Sequence, residues 1–135
     1  MAPERTLVMI KPNGVADRLI GEVISRFEKA RLSVVRLELK NLSVEQARAF
    51  YKEHEGKHFF DGLLAFMTSG PMVAMVVEGE NAIAAVRAIA GATNPKEALP
   101  GTLRFDFAPD TTRNVVHASD SQKSAQREIG FHFGV

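Results

Sequence analysis

Apolar and polar positions along the chain change period several times, and each change marks an element. Thr6 to Ile10 is a mostly apolar run ending at the turn-forming cluster Lys11-Pro12-Asn13-Gly14, which predicts a buried strand with Lys11 at its exit. Ile20, Val23, Ile24 and Phe27 recur at helical spacing with Glu22, Arg26 and Glu28 between them, the pattern of a helix with one core face. From Leu32 to Leu39 the period drops to two, Val35, Leu37 and Leu39 alternating with Val34, Arg36 and Glu38, and a second strand is expected. Ser43, with Glu45 and Gln46 behind it, opens a helix through Ala47 and Phe50 to Tyr51, and Gly56 breaks it.

Phe59, Leu63 and Phe66 share a face of a short helix over Phe59–Met67, stopped by Ser69-Gly70-Pro71. Pro71 to Val77 is almost continuously apolar, as a central strand covered on both faces would be. Asn81 starts another helix, with Ile83, Val86 and Ile89 inward and Gly91 as its stop. No clean period runs from Gly91 to Arg113, and a loop of that length inside a compact domain is more often functional than idle. Asn114 to His117 reads as a fourth strand, after which Asp120 caps a helix through Glu128. This order embeds the split βαβ pattern of a ferredoxin-like fold. The expectation is an α/β (α+β) single domain over residues 1–135, a four-stranded antiparallel sheet with helices packed around it.

Composition narrows the chemistry. There is no cysteine, which removes disulfides, thiolate metal sites and cysteine nucleophiles. Lys and Arg number 17 against 16 Asp and Glu, the signs interspersed, so no general nucleic-acid surface is indicated. The N-terminus lacks the basic-then-apolar pattern of a secretory signal, and the run Met72 to Val77 is far too short to cross a bilayer. A cytoplasmic location with no membrane partner is the default.

Asn114-Val115-Val116-His117-Ala118-Ser119-Asp120-Ser121 places a histidine at a strand end, just before a helix N-terminus, where free N–H groups and the macrodipole favour anions. Glu128, about two turns along that helix, is within reach of one ring nitrogen, fixing the tautomer and leaving the other nitrogen nucleophilic. A lone histidine is more often a hydrogen-bonded core residue. Phosphoryl transfer, however, needs positive charge gathered around the moving group, and Lys11, Arg87 and Arg104 lie at a strand exit, in a helix and in the long loop. Thr93 and Asn114 are further neutral donors. Any one of these cations is more commonly a solvated surface charge. On residues alone, a phosphate-handling enzyme and a binding domain both stand.

The runs ERTLVMIKPNGV, FYKEH followed by HFF, TSGPMVAMVVEGENAI, GATNPKEALPGTLRFDF, NVVHASDS and SAQREI together resemble nucleoside diphosphate kinases over essentially the whole chain. The resemblance implies γ-phosphoryl exchange between nucleoside tri- and diphosphates, ATP among them, by a ping-pong route through phosphohistidine at His117. Glu128 and Ser119 match the pair that orients this histidine, Lys11 the lysine between γ-phosphate and ribose, and Tyr51 the tyrosine beside the transferred group. His54, Arg87, Thr93 and Arg104 match phosphate contacts, Phe59 the aromatic under the base with Leu63 beside it, and Asn114 the asparagine at the sugar. Phe59, Leu63 and Tyr51 also fall where helix-packing residues would, and Leu63 is expected to serve both ends. Mg2+ is implied on the nucleotide phosphates rather than in a protein cage.

A homo-oligomer, tetramer or hexamer, is also implied, with the long loop held by a partner surface. His58 and His132 match no family role and are read as surface residues. Phe105, where a small residue is usual, and Thr111, where an apolar one is common near the base, depart from the pattern, as does Ala118 in place of a frequent glycine. Two rival functions remain: a non-catalytic nucleotide sensor on the same fold, and a relay that phosphorylates another protein.

Overall fold

The computed structural model describes residues 3–134. Strands β1 (Glu4–Ile10), β2 (Ser33–Lys40), β3 (Met72–Gly79) and β4 (Val116–Ala118) form one sheet in the order β2-β3-β1-β4, with every neighbouring pair antiparallel. This is the expected ferredoxin-like α+β arrangement. β1 and β3 lie at its centre, which explains the unbroken apolar run of β3: both of its faces are covered.

Alternation along β1 divides the interior in two. Val8 and Ile10 face α2 (Ile20–Lys29) and α5 (Ala82–Ala90), packing with Val23, Phe27 and Val86, while Leu7 and Met9 face the opposite core. That second core is built with α3 (Val44–Phe50), α4 (Phe60–Met67) and the inner side of α7 (Gln122–Phe133). α3 starts as its sequence indicates: Ser43 Oγ accepts the Gln46 N–H at 3.1 Å and Gln46 Oε1 accepts the Ser43 N–H at 2.9 Å, a full capping box.

The structure corrects several sequence expectations. The cluster after β1 is a helix, α1 (Pro12–Ala16), because Pro12 in the first turn has its φ pre-set for helix and lacks only a donor that would be orphaned there. The stretch from Gly91 to Arg113 holds a 3-10 turn at Pro95–Glu97, capped by Asn94, and α6 (Leu103–Phe107), capped by Thr102. Five residues are too few to show a period. The segment is fastened from within the chain, Arg26 donating to Gly101 O at 3.0 Å and to Asp106 Oδ2 at 3.0 Å. β4 begins at Val116 rather than Asn114, and α7 is capped by Ser121 instead of Asp120, then runs past Glu128 to Phe133. In α5 the fully buried residues are Ala82, Val86 and Ala90, with Ile83 and Ile89 on the flanks.

Two further differences bear on surfaces. A β-bulge between Val34 and Arg36 interrupts the simple alternation of β2, so that Val34 packs on the core while Leu37 and Leu39 remain 53% and 61% exposed on the sheet edge. His132, read from sequence as a surface residue, is only 6% exposed. His58 is exposed as expected.

Candidate active site

The site is organised by a strained turn. Val116 N–H bonds to Asn114 O at 2.9 Å, and Val115 between them has φ 75°, a conformation that a β-branched residue rarely adopts. Two contacts hold it. Lys11 N–H donates to Val115 O at 2.7 Å, and α1 presses against it at Gly14, where a Cβ would stand 3.2 Å from Val115 O and 2.8 Å from Ile10 Cγ2. The turn delivers the chain into β4, where His117 pairs opposite Met9 and, by alternation with Val116 and Ala118, faces the α3–α4–α7 side.

There His117 Nε2 lies 2.8 Å from Glu128 Oε1 on α7. The same oxygen accepts the Ser119 hydroxyl at 2.7 Å. Ser119 is fully buried and tied to β1, its backbone N–H donating to Leu7 O at 3.1 Å. Burial alone would push the Glu128 carboxyl up, but the bond to His117 and its charge, with Ser119 and Arg127 behind them, outweigh it and hold the group below the usual carboxylate range. An ionised Glu128 accepts the Nε2 proton, so the lone pair of His117 is on Nδ1.

His117 opens into a cavity of about 570 Å³. Of the residues singled out from sequence, Lys11, Tyr51, His54, Phe59, Leu63, Arg87, Thr93, Arg104, Asn114, His117 and Glu128 all line it, and Ser119 stands behind Glu128. Thus β1, the α3–α4 corner, α5, the long segment, β4 and α7 converge on one space. Leu63 both lines the cavity and belongs to the second core, and Tyr51 is likewise buried, whereas Phe59 is 39% exposed. Sequence reasoning passed over Glu53, Thr112, Asp120 and Ser124, and gave no site role to His58, which also line the cavity. Their signal was adjacency to the motifs already noted.

Three cationic side chains, Lys11, Arg87 and Arg104, converge on the cavity. Lys11 is 7% exposed, and burial followed by the positive charge of Arg104 brings its ammonium down to about 7. Arg104 is brought down to about 10 by burial and then by Arg87. Its guanidinium is aligned by Gly91 O at 2.7 Å and Val116 O at 2.8 Å, while its neighbour Phe105 points outward, half exposed, and leaves that alignment intact. Arg87 donates to Ala118 O at 3.1 Å. The Tyr51 hydroxyl is buried without a partner, its phenol pushed up by burial and then by Glu128. Asn114 Nδ2 donates to Thr93 O at 3.3 Å, leaving its buried Oδ1 unpaired.

Among the described residues no group of three His, Asp or Glu side chains is placed to hold a metal ion. The same residues contain no helix long and apolar enough to cross a membrane.

A family model for nucleoside diphosphate kinase matches residues 4–135. A solved structure of the Aquifex aeolicus nucleoside diphosphate kinase, in an orthorhombic crystal form, is similar with 41% sequence identity and a TM-score of 0.94, the match covering 98% of this chain and 96% of that one.

Proposed function

The chain belongs to the nucleoside diphosphate kinase family and is a phosphotransferase acting on nucleoside di- and triphosphates, and from that premise we propose that His117 is the residue carrying the phosphoryl group. The observation that carries the reading is the 2.8 Å contact from Nε2 to Glu128, which commits one ring nitrogen and frees the other. Nδ1 attacks the γ-phosphorus of a nucleoside triphosphate, the bond to the β–γ bridging oxygen breaks, and a nucleoside diphosphate departs. A terminal phosphate oxygen of a second diphosphate then attacks the same phosphorus, and the P–N bond breaks.

Each supporting residue has a role set by its place. Glu128, held by Ser119, keeps the Nε2 proton and stabilises the ring as charge develops. Lys11, Arg87 and Arg104 surround the phosphates, with His54 and Thr93 as further contacts, and the Tyr51 hydroxyl donates to the transferring group. Phe59 stacks on the base with Leu63 beside it, and Asn114 binds the sugar. The cavity's donor set fits a magnesium ion brought by the nucleotide phosphates, because its carboxylates are not clustered and Glu128 is already engaged. When bound, that ion neutralises phosphate charge.

We further propose one domain over residues 1–135, a cytoplasmic location, and a homo-oligomer, tetramer or hexamer, built from isologous dimers. The apolar row Val35, Leu37 and Leu39 on the β2 edge, and the exposed Leu99 and Phe105, support assembly.

Incubation with γ-labelled nucleoside triphosphate alone tests the site. Label that survives alkali, is lost in acid and passes to added nucleoside diphosphate is expected. No label would favour a nucleotide sensor, and label that diphosphate does not discharge would favour a protein relay.

A further inference from the structure

Four residues after Glu128, on the same face of α7, the chain buries a second imidazole that the transfer reaction does not use. Nδ1 of His132 lies 3.3 Å from Nζ of Lys40 on β2, and the same ammonium is 3.5 Å from His132 O. An ammonium can only donate, so Nδ1 must accept and the ring is the neutral Nε2–H tautomer. Nε2 is buried with no protein partner.

The ring is not isolated from the site. Its centroid is 5.2 Å from that of Phe50, and Phe50 lies 5.4 Å from His117, edge-on at 79°. One benzene ring therefore separates the two imidazoles. Phe50 is itself 2% exposed and so has little room to move independently of either.

We infer that His132 is a positioning residue for phosphoryl transfer: while neutral, it anchors the last turn of α7 and backs Phe50 against His117, and gaining a proton loosens both. This rests on the assignment of His117 as nucleophile. The charged and titratable groups around it decide the sense of the coupling. Lys40 faces it from β2, His117 from β4 beyond Phe50, and Glu128 from α7 itself. Arg127 covers the Phe50 ring at 5.5 Å, and Arg36 covers neighbouring Phe133 at 5.6 Å. Only Glu128 favours a charged ring, and its Oε1 already accepts from His117 and Ser119.

Burial first, then Lys40 and His117, with Glu128 opposing, bring His132 down to about 4. Acidification thus places a second cation against the Lys40 ammonium, in a pocket with no acceptor for Nε2. The relief available is outward movement of the end of α7. That end begins one turn beyond Glu128, and its departure also removes the backing of Phe50.

The test is the pH dependence of phosphoenzyme formation from nucleoside triphosphate alone, with each protein normalised to its own rate at neutral pH. It is combined with an NMR titration of the His132 ring in wild type and in Lys40→Met. His132→Phe fills the space without titrating. Its labelling rate should fall less steeply on acidification than that of wild type, the two being nearly equal at about pH 5 and the gap reaching about twofold near pH 4 and widening below it. In the wild type the ring should titrate well below an ordinary histidine, and in Lys40→Met the titration should move up, because a cation and a donor to the neutral ring are both lost.

Parallel acid limbs in wild type and His132→Phe, or a wild-type His132 ring titrating near the ordinary histidine value, would overturn the inference while leaving the His117 assignment standing. Absence of any labelling in the wild type at neutral pH would sink that assignment and this inference with it. The NMR arm keeps the proposal exposed to refutation even if His132→Phe does not fold.

Discussion

Glu128 Oε1 receives two donors at once, His117 Nε2 at 2.8 Å and Ser119 Oγ at 2.7 Å, so the orientation of the imidazole is fixed by a carboxylate that is itself fixed to β1 through Ser119. The proposed nucleophile and its proposed orienter should therefore fail differently. His117→Ala should abolish phosphoenzyme labelling and turnover together. Glu128→Gln should still be labelled, at a rate lower by roughly 10- to 100-fold, since a charge-assisted hydrogen bond becomes a neutral one. Single-turnover labelling separates the two; label persisting in His117→Ala would remove His117 as the nucleophile, and an unchanged rate in Glu128→Gln would remove Glu128 as its orienter.

Phe59 stands at the mouth of the cavity, 39% exposed, with the His54 ring 5.4 Å away. A stacking surface reads every base face alike. Phe59→Ala should weaken all four common nucleoside diphosphates by a similar amount, about 1 to 3 kcal/mol, with little change in unfolding free energy. Calorimetric titration of each nucleotide checks this, and a loss confined to one base would mean that an edge contact is being read.

Much of this was legible because period and chemistry coincide. The nearly unbroken apolar runs of β1 and β3 marked them as buried strands, and the strand-to-helix passage at His117 placed the proposed nucleophile where Glu128 of the following helix reaches it. What stayed hidden depended on distant or very local geometry. Thr102 caps a helix too short to show a period, and Ser121 beside Asp120 offered two residues of equal capping ability. Nothing in a valine announces the positive φ of Val115. His132 passed as a surface residue because its partner, Lys40, is 92 positions away.

Assembly is checkable on the β2 edge. If Leu37 and Leu39 are covered by a second copy, Leu37→Glu with Leu39→Glu should lower the mass found by light scattering, because two like charges in an apolar contact are left unpaired. A wild-type protein that is monomeric at working concentration would refute the oligomer directly.

Gly91 couples the long segment to the site. It has φ 89°, a Cβ there would meet Thr102 Oγ1 at 2.5 Å, and its carbonyl holds Arg104. Gly91→Ala combines backbone strain with a steric clash against the residue that caps α6. It should destabilise the fold by about 2 to 5 kcal/mol in denaturant titration. Thr102→Gly should recover part of that loss in the double variant, whereas additive effects would mean that Thr102 is not the obstacle.

Lys11 should make nucleotide binding a proton-linked event. Its ammonium, brought down to about 7 by burial and then by Arg104, is largely neutral in the empty site at pH 8. In the unfolded chain it titrates near 10.4, so between about pH 7 and 10 the unfolded state binds more protons. Its contribution therefore makes the ligand-free protein more stable as pH rises through that window, and the cost of burying the charge is present in full below it. An arriving phosphate reverses the balance, because a negative charge beside the amine favours its protonated form. Binding of a nucleoside diphosphate at pH 8 should take up close to one proton, and affinity should fall as pH rises above about 7, by up to about tenfold per unit. Lys11→Arg keeps the positive charge throughout this range and should abolish the uptake and flatten the affinity profile, whatever it costs in absolute binding. Calorimetry of nucleoside diphosphate binding in two buffers of different ionisation enthalpy gives the proton count. No uptake by the wild type at pH 8, or equal uptake by Lys11→Arg, would show that Lys11 is already charged in the empty site.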